Sequence, residues 1–191
     1  MPPKVKITKE DIIETAFRLL RENGERAINA RTVALTLKCS TQPVFSNFSN
    51  MEELKEKLRA RAYKHYLAFL EREMASGRYP VYKSFGMAYI RFAKEEKELF
   101  KLLFMRQRKT EDTKTQSPDV EASVELIMSA NGVSRETAEL MHLEMWSCVH
   151  GIATMLVTSF FEPGEELISQ MLSDVYKGVR LTYLEGSNGS N

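Results

Sequence analysis

The chain has 191 residues, 43% of them hydrophobic, and a net charge of +1. This length suits one medium domain or two small ones, and the apolar content excludes an intrinsically disordered protein. No apolar run reaches the roughly 18 residues of a membrane helix, and the basic N-terminus M-P-P-K-V-K-I-T-K-E lacks an apolar core. We therefore expect no signal peptide and a cytosolic protein in which the distant Cys39 and Cys148 stay reduced.

The first predicted helix begins after a short basic arm at residues 1–7. Thr8 and Asp11 have the spacing of a capping box, in which each side chain accepts a backbone N–H of the other residue. Asn23-Gly24 is a typical helix end. The apolar stripe between them consists of Ile12, Ile13, Ala16, Phe17 and Leu20.

Residues 29–48 predict two short helices joined by a tight turn, N-A-R-T-V-A-L-T-L-K-C-S-T-Q-P-V-F-S-N-F. Asn29 can cap the first helix through its side-chain oxygen. Ser40 or Thr41 can cap the second, in whose first turn Pro43 is tolerated because a lost N–H costs nothing there. The apolar positions that can pack together are Val33, Ala34, Leu37, Val44 and Phe48.

This layout is that of a helix-turn-helix, with an apolar inner face and an outer face of small polar residues that fits the major groove. The outer face carries Thr41, Gln42, Ser46 and Asn47. Two short amphipathic helices also occur in many all-α proteins, so the pattern alone leaves a purely structural interpretation open.

Together with its flanks, the motif resembles the N-terminal domain of the TetR family of transcriptional regulators over residues 8–61. The preceding helix I-I-E-T-A-F-R-L-L-R-E-N-G and the following F-S-N-M-E-E-L-K agree in spacing and residue type. The resemblance implies binding to double-stranded operator DNA. The residues it assigns to that contact are Arg31, Thr32, Ser40, Thr41, Gln42, Pro43, Phe45, Ser46, Asn47 and Lys55.

Charge is distributed in agreement with this interpretation. Residues 1–61 carry twelve Lys and Arg against eight Asp and Glu, a balance of +4, which leaves −3 for the remainder. A basic N-terminal part fits a local DNA-binding face, although chance asymmetry of this size is common.

Three positions depart from the family pattern. Lys38 stands where the turn usually has Gly, and a non-Gly residue at positive φ costs roughly 1–2 kcal/mol, which leaves room for a differently built turn. Phe45 replaces a Tyr whose hydroxyl typically meets a phosphate. Met51 replaces a usual Lys, for which Lys55, one turn later, can substitute.

The rest of the chain predicts further helices and no strand. Asn50 can cap a fourth helix with Glu53 as its partner, and apolar residues at a spacing of four carry that helix to near Gly77. The later helices are predicted at 81–93, 99–105, 118–131, 135–161 and 165–184, with an exposed loop at 106–117.

The sum is an all-α protein of about nine helices. We divide it into a helix-turn-helix DNA-binding domain at 1–50, a helical effector-binding and dimerisation domain at 51–186, and a flexible tail at 187–191. In the family, the equivalent of the long fourth helix links the two domains.

The last two long helices are apolar on more than one side, so each must be buried on more than one side. TetR-like regulators dimerise through these helices as a four-helix bundle, and periodicity agrees with that. A monomer with a larger internal core is the alternative. The dimer-interface candidates are Ile152, Leu156, Phe160, Ile168, Leu172, Val175 and Val179.

The segment Trp146–Gly151 resembles a W-x-x-x-H-G sequence found in the C-terminal domain of some family members. Trp146 and His150 lie four residues apart on one helical face, and Gly151 lets another helix approach closely. Trp146 and His150 could line an effector pocket, or they could be core residues. The methionines of this region leave the same choice open, because Met at helical spacing is often simply part of a core. The pocket candidates are Tyr66, Tyr89, Phe92, Phe104, Met141, Met145, Trp146 and His150.

The sequence offers little for catalysis. The three histidines, His65, His142 and His150, have no Cys or second His at metal-ligand spacing, and no nucleophile elbow, P-loop or dinucleotide motif is present. A pairing of Cys148 with a histidine lacks an orienting motif. We therefore expect no enzyme, no metal and no cofactor.

These observations predict a cytoplasmic, homodimeric DNA-binding regulator of the TetR type, most often a repressor. It would bind a near-palindromic operator and respond to an apolar or amphipathic small molecule. The alternative from another class is an all-α ligand-binding or scavenging protein with little DNA affinity, which Lys38, Phe45 and Met51 would support. An all-α enzyme ranks third.

Overall fold

The computed structural model describes residues 7–106 and 118–185. The all-α prediction is confirmed, since these residues form nine α-helices and no strand. The predicted arm at 1–7, the loop at 106–117 and the tail lie almost wholly outside the described residues. The helices are α1 Lys9–Asn23, α2 Ala30–Thr36, α3 Gln42–Asn47, α4 Met51–Ala75, α5 Val81–Glu95, α6 Lys97–Phe104, α7 Pro118–Asn131, α8 Arg135–Val157 and α9 Glu165–Glu185.

Local capping signals set several of these boundaries. The capping box of Thr8 and Asp11 is formed, with the Thr8 N–H donating to Asp11 Oδ2 over 2.9 Å. Asn29 caps α2 as predicted, and Ser134 caps α8. Asn50 Oδ1 accepts the N–H of Glu53 over 2.9 Å. Each of these side chains satisfies an N–H that the first helical turn leaves without a partner.

Two local features differ from the prediction. A 3-10 turn, Glu25–Ala27, follows α1. The α8 helix ends at Val157 and not near Phe161, because Ser159 adopts a positive φ of 52° and the Phe160 N–H donates to the Met155 carbonyl over 3.0 Å. Such a left-handed residue ends a helix by turning the chain back on its last carbonyls.

The chain packs into two compact units. The N-terminal unit contains residues up to Ala68 together with Glu96–Arg106, and so includes α1 to α3, most of α4, and α6. Its α1 packs on α2, α3 and α6. The fully buried side chains at its centre are Ile12, Leu20, Val44, Leu54, Leu58, Leu99 and Phe100.

The second unit contains Phe69–Glu95 and the chain after Gln107. The α8 helix is its centre and packs on α5, α7 and α9. Gly86 of α5 permits a close approach, since a Cβ there would lie 3.1 Å from Val149 Cγ2 and 3.3 Å from Leu172 Cδ1. The functional division at residue 50 stays a prediction, while packing separates the chain within α4, after Ala68.

Candidate nucleic-acid interface and effector region

The α2–α3 pair has the geometry that its sequence predicts. Val44 and Phe48 are 0% and 2% exposed, and they pack the second helix of the motif into the N-terminal unit. Thr41, Gln42 and Ser46 are exposed. A short helix is thereby held by its apolar side while its polar side faces outward.

Lys38 takes the left-handed conformation that favours Gly. Its φ is 55°, and its N–H donates to the Leu35 carbonyl over 3.0 Å. The Cys39 N–H donates to the Ala34 carbonyl over 3.0 Å. The left-handed residue thus closes α2, and of the two possibilities left open the chain places a non-Gly residue at positive φ.

The start of α3 also differs from the prediction. Thr41 is the N-cap residue, but it has helical angles of −73° and −12° and makes no side-chain capping bond. Neither Ser40 nor Thr41 caps α3, because a helical N-cap residue does not aim its oxygen at the free N–H groups ahead. Both side chains are instead exposed. Pro43 lies in the first turn, as predicted.

The other predicted DNA contacts fall into two groups. Arg31 is exposed, and Phe45 is 55% exposed. The remaining three are engaged in local structure: the Thr32 N–H donates to Asn29, Asn47 Nδ2 donates to the Pro43 carbonyl over 2.8 Å, and Lys55 Nζ lies 3.3 Å from Glu52 Oε1.

In the second unit, three of the predicted effector residues form one cluster. The Tyr89 hydroxyl lies 2.9 Å from His150 Nδ1. The Trp146 ring stacks on that of His150, with centroids 4.9 Å apart and an interplanar angle of 12°. Trp146 and His150 do share one face of α8, and the indole is 39% exposed.

Of the other five effector candidates, three are buried in the second unit and two belong to the N-terminal unit. Phe92 packs edge-on against Phe69, with centroids 5.4 Å apart. Met141 is 0% exposed in a core cluster of α7 and α8, and Met145 is also buried. Tyr66 and Phe104 belong to the N-terminal unit, where their rings lie 5.1 Å apart.

Most of the predicted dimer-interface residues are buried within one subunit. Four of them, Ile152, Leu156, Ile168 and Leu172, are at most 4% exposed, which assigns them to the core of the second unit and corrects the prediction. Val175 and Val179 are half-buried, and Phe160 is 82% exposed. The periodicity identified the apolar helices but not their outward side.

The outward side of α8 and α9 is a different stripe. On α8 it consists of Leu140, Leu143, Ser147 and Gly151, and on α9 of Leu167, Gly178 and Leu181. We call these seven residues the outer stripe. The predicted close approach of a helix to Gly151 does not occur among the residues that the structure describes, since a Cβ there would meet nothing within 4 Å.

Comparison with known proteins decides the family. A family model described as the tetracyclin repressor-like C-terminal domain matches residues 82–175. The chain belongs to the TetR family of transcriptional regulators. No curated protein matches it significantly.

Several solved structures share the fold. One similar structure is a protein of unknown function from Rhodococcus sp. RHA1, with a TM-score of 0.71 at 17% identity, covering 92% of this chain and 97% of that one. A TetR-family member from Streptomyces coelicolor A3 gives 0.62 at 14%, covering 87% and 96%. A TetR variant from Acinetobacter baumannii AYE, in complex with minocycline, gives 0.60 at 14%, covering 91% and 96%. At these identities the likeness establishes the fold.

Several polar groups of this TetR-family chain were not anticipated from sequence. Arg91 Nη1 donates to Glu73 Oε2 over 2.8 Å, and Arg78 Nη1 to Glu165 Oε1 over 3.1 Å, around one small polar cleft of the second unit. The Tyr82 hydroxyl lies 3.3 Å from His142 Nδ1, and burial raises the pKa of this phenol. These contacts join residues far apart in sequence, and no spacing rule could find them.

Enzymatic chemistry gains no support from the described residues, which hold no group of three or more His, Cys, Asp or Glu able to bind a metal ion. Burial raises the pKa of the Cys148 thiol, which opposes formation of a nucleophilic thiolate. By length and composition α8 could cross a membrane, but a core helix passes the same test. Its apolar sides pack on α5, α7 and α9.

Proposed function

We propose that this TetR-family regulator is a cytoplasmic, homodimeric repressor that an apolar or amphipathic small molecule releases from a near-palindromic operator. The observation that carries the proposal is the exposed polar side of α3 above the buried Val44 and Phe48. A helix held in this way can enter a major groove without disturbing the core behind it.

In this proposal α3 reads bases and its surroundings bind phosphates. Gln42 is exposed at the start of α3 and can pair bidentately with adenine. Arg31 and Lys55 supply sequence-independent phosphate contacts. The loss of either should reduce the slope of the logarithm of the binding constant against the logarithm of the salt concentration by roughly one unit. Lys55 would exchange its contact with Glu52 for one with a phosphate.

A homodimer would present two α3 helices to the DNA. Two recognition helices related by a two-fold axis reach major grooves roughly 34–36 Å apart, so the operator should be a near-palindrome with half-sites about one turn apart. The outer stripe supports a dimer because it leaves Leu140 and Leu143 exposed, at 47% and 56%. Its small residues, Ser147, Gly151 and Gly178, would let a second subunit approach closely.

Effector binding is proposed for the cluster of Tyr89, Trp146 and His150. Two aromatic rings and an imidazole offer an apolar surface with a few polar atoms that could orient a ligand. A TetR variant of similar fold is known in complex with minocycline. The chain passes between its two units through α4 and on both sides of α6, so a shift in the second unit can be passed to the DNA-binding unit along the backbone.

The test is a titration of the protein on DNA that flanks its own gene, first alone and then with candidate effectors. Trp146 is the only tryptophan, so its fluorescence identifies compounds that bind at the proposed cluster. Hydrophobic compounds that change this emission should weaken operator affinity 5- to 150-fold, which corresponds to a coupling of roughly 1–3 kcal/mol. Compounds that change the emission but leave operator affinity untouched would contradict the sensor role.

The alternative is a ligand-binding or scavenging protein with little DNA affinity. The observation in its favour is Phe45, an apolar side chain 55% exposed on α3 where a phosphate-binding hydroxyl is usual in the family. The left-handed Lys38 no longer supports it, because the turn is intact. The same titration separates the two, since a scavenger would show the fluorescence change without sequence-specific DNA binding.

A further inference from the structure

We infer that Glu53, on α4, is a positioning residue that fixes the recognition helix α3 in its DNA-reading orientation without touching DNA. The inference rests on the proposed DNA-binding function. It assigns to Glu53 more than the helix-capping role that its sequence position predicts.

The α3 helix needs an external support. It has only six residues, and helices much shorter than 12–15 residues are marginal on their own. Its N-cap makes no side-chain bond, and Val44 is its only buried residue. Its orientation therefore depends on the packing of Val44 and on the segment of Phe48, Ser49 and Asn50 that joins it to α4.

Glu53 binds the middle of that segment. Its Oε2 accepts the backbone N–H of Ser49 and the Ser49 hydroxyl, each over 2.8 Å. It therefore reaches past Asn50, the capping-box partner that its spacing predicts. The Asn50 side chain in turn accepts the N–H of Glu53 over 2.9 Å. The chain that leaves α3 is thus bound to the first turn of α4 from both directions.

The other oxygen of Glu53 binds α1. Its Oε1 accepts Lys9 Nζ over 2.7 Å, and the same ammonium lies 4.6 Å from the centroid of the Phe48 ring. Phe48 is the residue that ends α3. One carboxylate therefore joins the start of α1, the end of α3 and the start of α4.

The carboxylate is charged under physiological conditions. The Lys9 ammonium and the two Ser49 donors lower the pKa of Glu53 to about 2. A charged acid close to a DNA-binding face repels phosphates, so its removal should strengthen DNA binding if charge alone mattered. A positioning role predicts the opposite for the specific operator, and this difference in sign makes the inference testable.

The experiment compares Glu53→Gln with Glu52→Gln. Glu52 is the preceding residue, its side chain is 71% exposed, and its ion pair is with Lys55 in its own helix. Both substitutions remove one negative charge from the same turn, but only Glu53→Gln weakens bonds that join different elements. Circular dichroism and the melting temperature establish that each variant is folded, and stoichiometric titration gives its active fraction.

The ratio of specific to non-specific affinity should be about tenfold lower in Glu53→Gln than in Glu52→Gln. Glu52→Gln frees Lys55, a proposed phosphate contact, and this strengthens specific and non-specific binding alike, so the ratio removes its effect. Ser49→Ala, which removes only the hydroxyl bond, should lose a smaller factor in the same direction and serves if Glu53→Gln fails to fold. A ratio of specific to non-specific affinity that is the same in all three variants would overturn the inference.

Hydrogen exchange tests the same inference without DNA. The Ser49 amide should exchange at least several-fold faster in Glu53→Gln than in Glu52→Gln, because its acceptor is weakened. An unchanged Ser49 amide would overturn the positioning role. If the parent protein binds no operator, the proposed function fails, but the exchange of Ser49 still decides whether Glu53 holds this segment.

Discussion

Arg21, in the last turn of α1, forms a bidentate ion pair with Glu96, the residue before α6. Its Nε and Nη2 donate to the two carboxylate oxygens over 2.8 and 2.5 Å. His65 Nε2 of α4 lies 3.3 Å from the same Oε1, and the Glu96 side chain is only 11% exposed. One carboxylate thus ties α6 to two helices of the N-terminal unit, although α6 lies between two stretches of the second unit in sequence.

Glu96→Gln should therefore destabilise the protein by about 1–2 kcal/mol, between the values for exposed and for buried ion pairs. Urea unfolding measures this. The control is Glu95→Gln, because Glu95 is 45% exposed and pairs with Arg91 within its own helix. If α6 transmits the effector signal, Glu96→Gln should also reduce effector-induced release more than it reduces operator affinity. Equal destabilisation by both variants would contradict the role of this ion pair.

Lys38→Gly should stabilise the protein by up to about 1 kcal/mol. Lys38 is left-handed at φ 55°, a conformation that a Cβ makes unfavourable. The gain is partly offset because Gly also gives the unfolded chain more freedom. Ser159→Gly is the control, since Ser159 has nearly the same φ of 52° in the second unit and should gain a similar amount. A loss of stability in Lys38→Gly would show that the lysine side chain contributes more than its backbone strain costs.

Gln42→Ala should relax sequence preference at one base pair of each half-site. A bidentate contact with a base discriminates by roughly 1–3 kcal/mol, and Gln42 is exposed in the first turn of α3. Binding to a pool of randomised operators measures the base preference at each position, which is the binding profile of the protein. Ser46→Ala truncates another exposed side chain of α3 and should leave that position unchanged. Superimposable profiles of Gln42→Ala and the parent protein would show that Gln42 reads no base.

Phe45→Tyr should strengthen DNA binding by about 0.5–1.5 kcal/mol for all sequences alike, because a hydroxyl on this exposed ring can donate to a phosphate. Phosphate contacts fix position and carry no sequence information, so the operator preference should not change. The control Phe161→Tyr adds a hydroxyl at a ring 47% exposed in the second unit and should have no effect on DNA affinity. An unchanged affinity in Phe45→Tyr would place this ring away from the backbone of the DNA.

The sequence was sufficient for most helix caps, in which the determining interaction is local, but not for the start of α3 or the end of α8. Caps such as those of Thr8 and Asn29 involve neighbours three residues away, and they form as predicted. The left-handed conformation of Lys38 could not be predicted, because its strain of about 1–2 kcal/mol is small beside the packing energy of the whole motif. The placement of α6 in the N-terminal unit depends on contacts between distant segments, as in the pair of Arg21 and Glu96. Spacing rules contain no such information.

The two long C-terminal helices show the same limit. Periodicity correctly indicates that α8 and α9 are apolar on several sides, but it does not tell which side the chain itself buries. Ile152 and Leu172 face the core, at 2% and 3% exposed, while Leu143 on the outer stripe is 56% exposed. Only the packing of α5, α7, α8 and α9 distinguishes them. The test of the dimer must therefore use the outer stripe.

Gly151→Leu should convert the proposed dimer to a monomer. A Cβ at Gly151 meets nothing within 4 Å among the described residues of its own chain, so a larger side chain leaves the fold of one subunit intact. Leu even favours the helix over Gly by up to about 1 kcal/mol. In a dimer that packs on the outer stripe, the same side chain would hold the second subunit's helices apart. Gly164→Ala is the control, because Gly164 also has open space around it and lies off the stripe. Sedimentation equilibrium measures both variants, and a Gly151→Leu protein with the dimer dissociation constant of the parent would show that the subunits meet elsewhere.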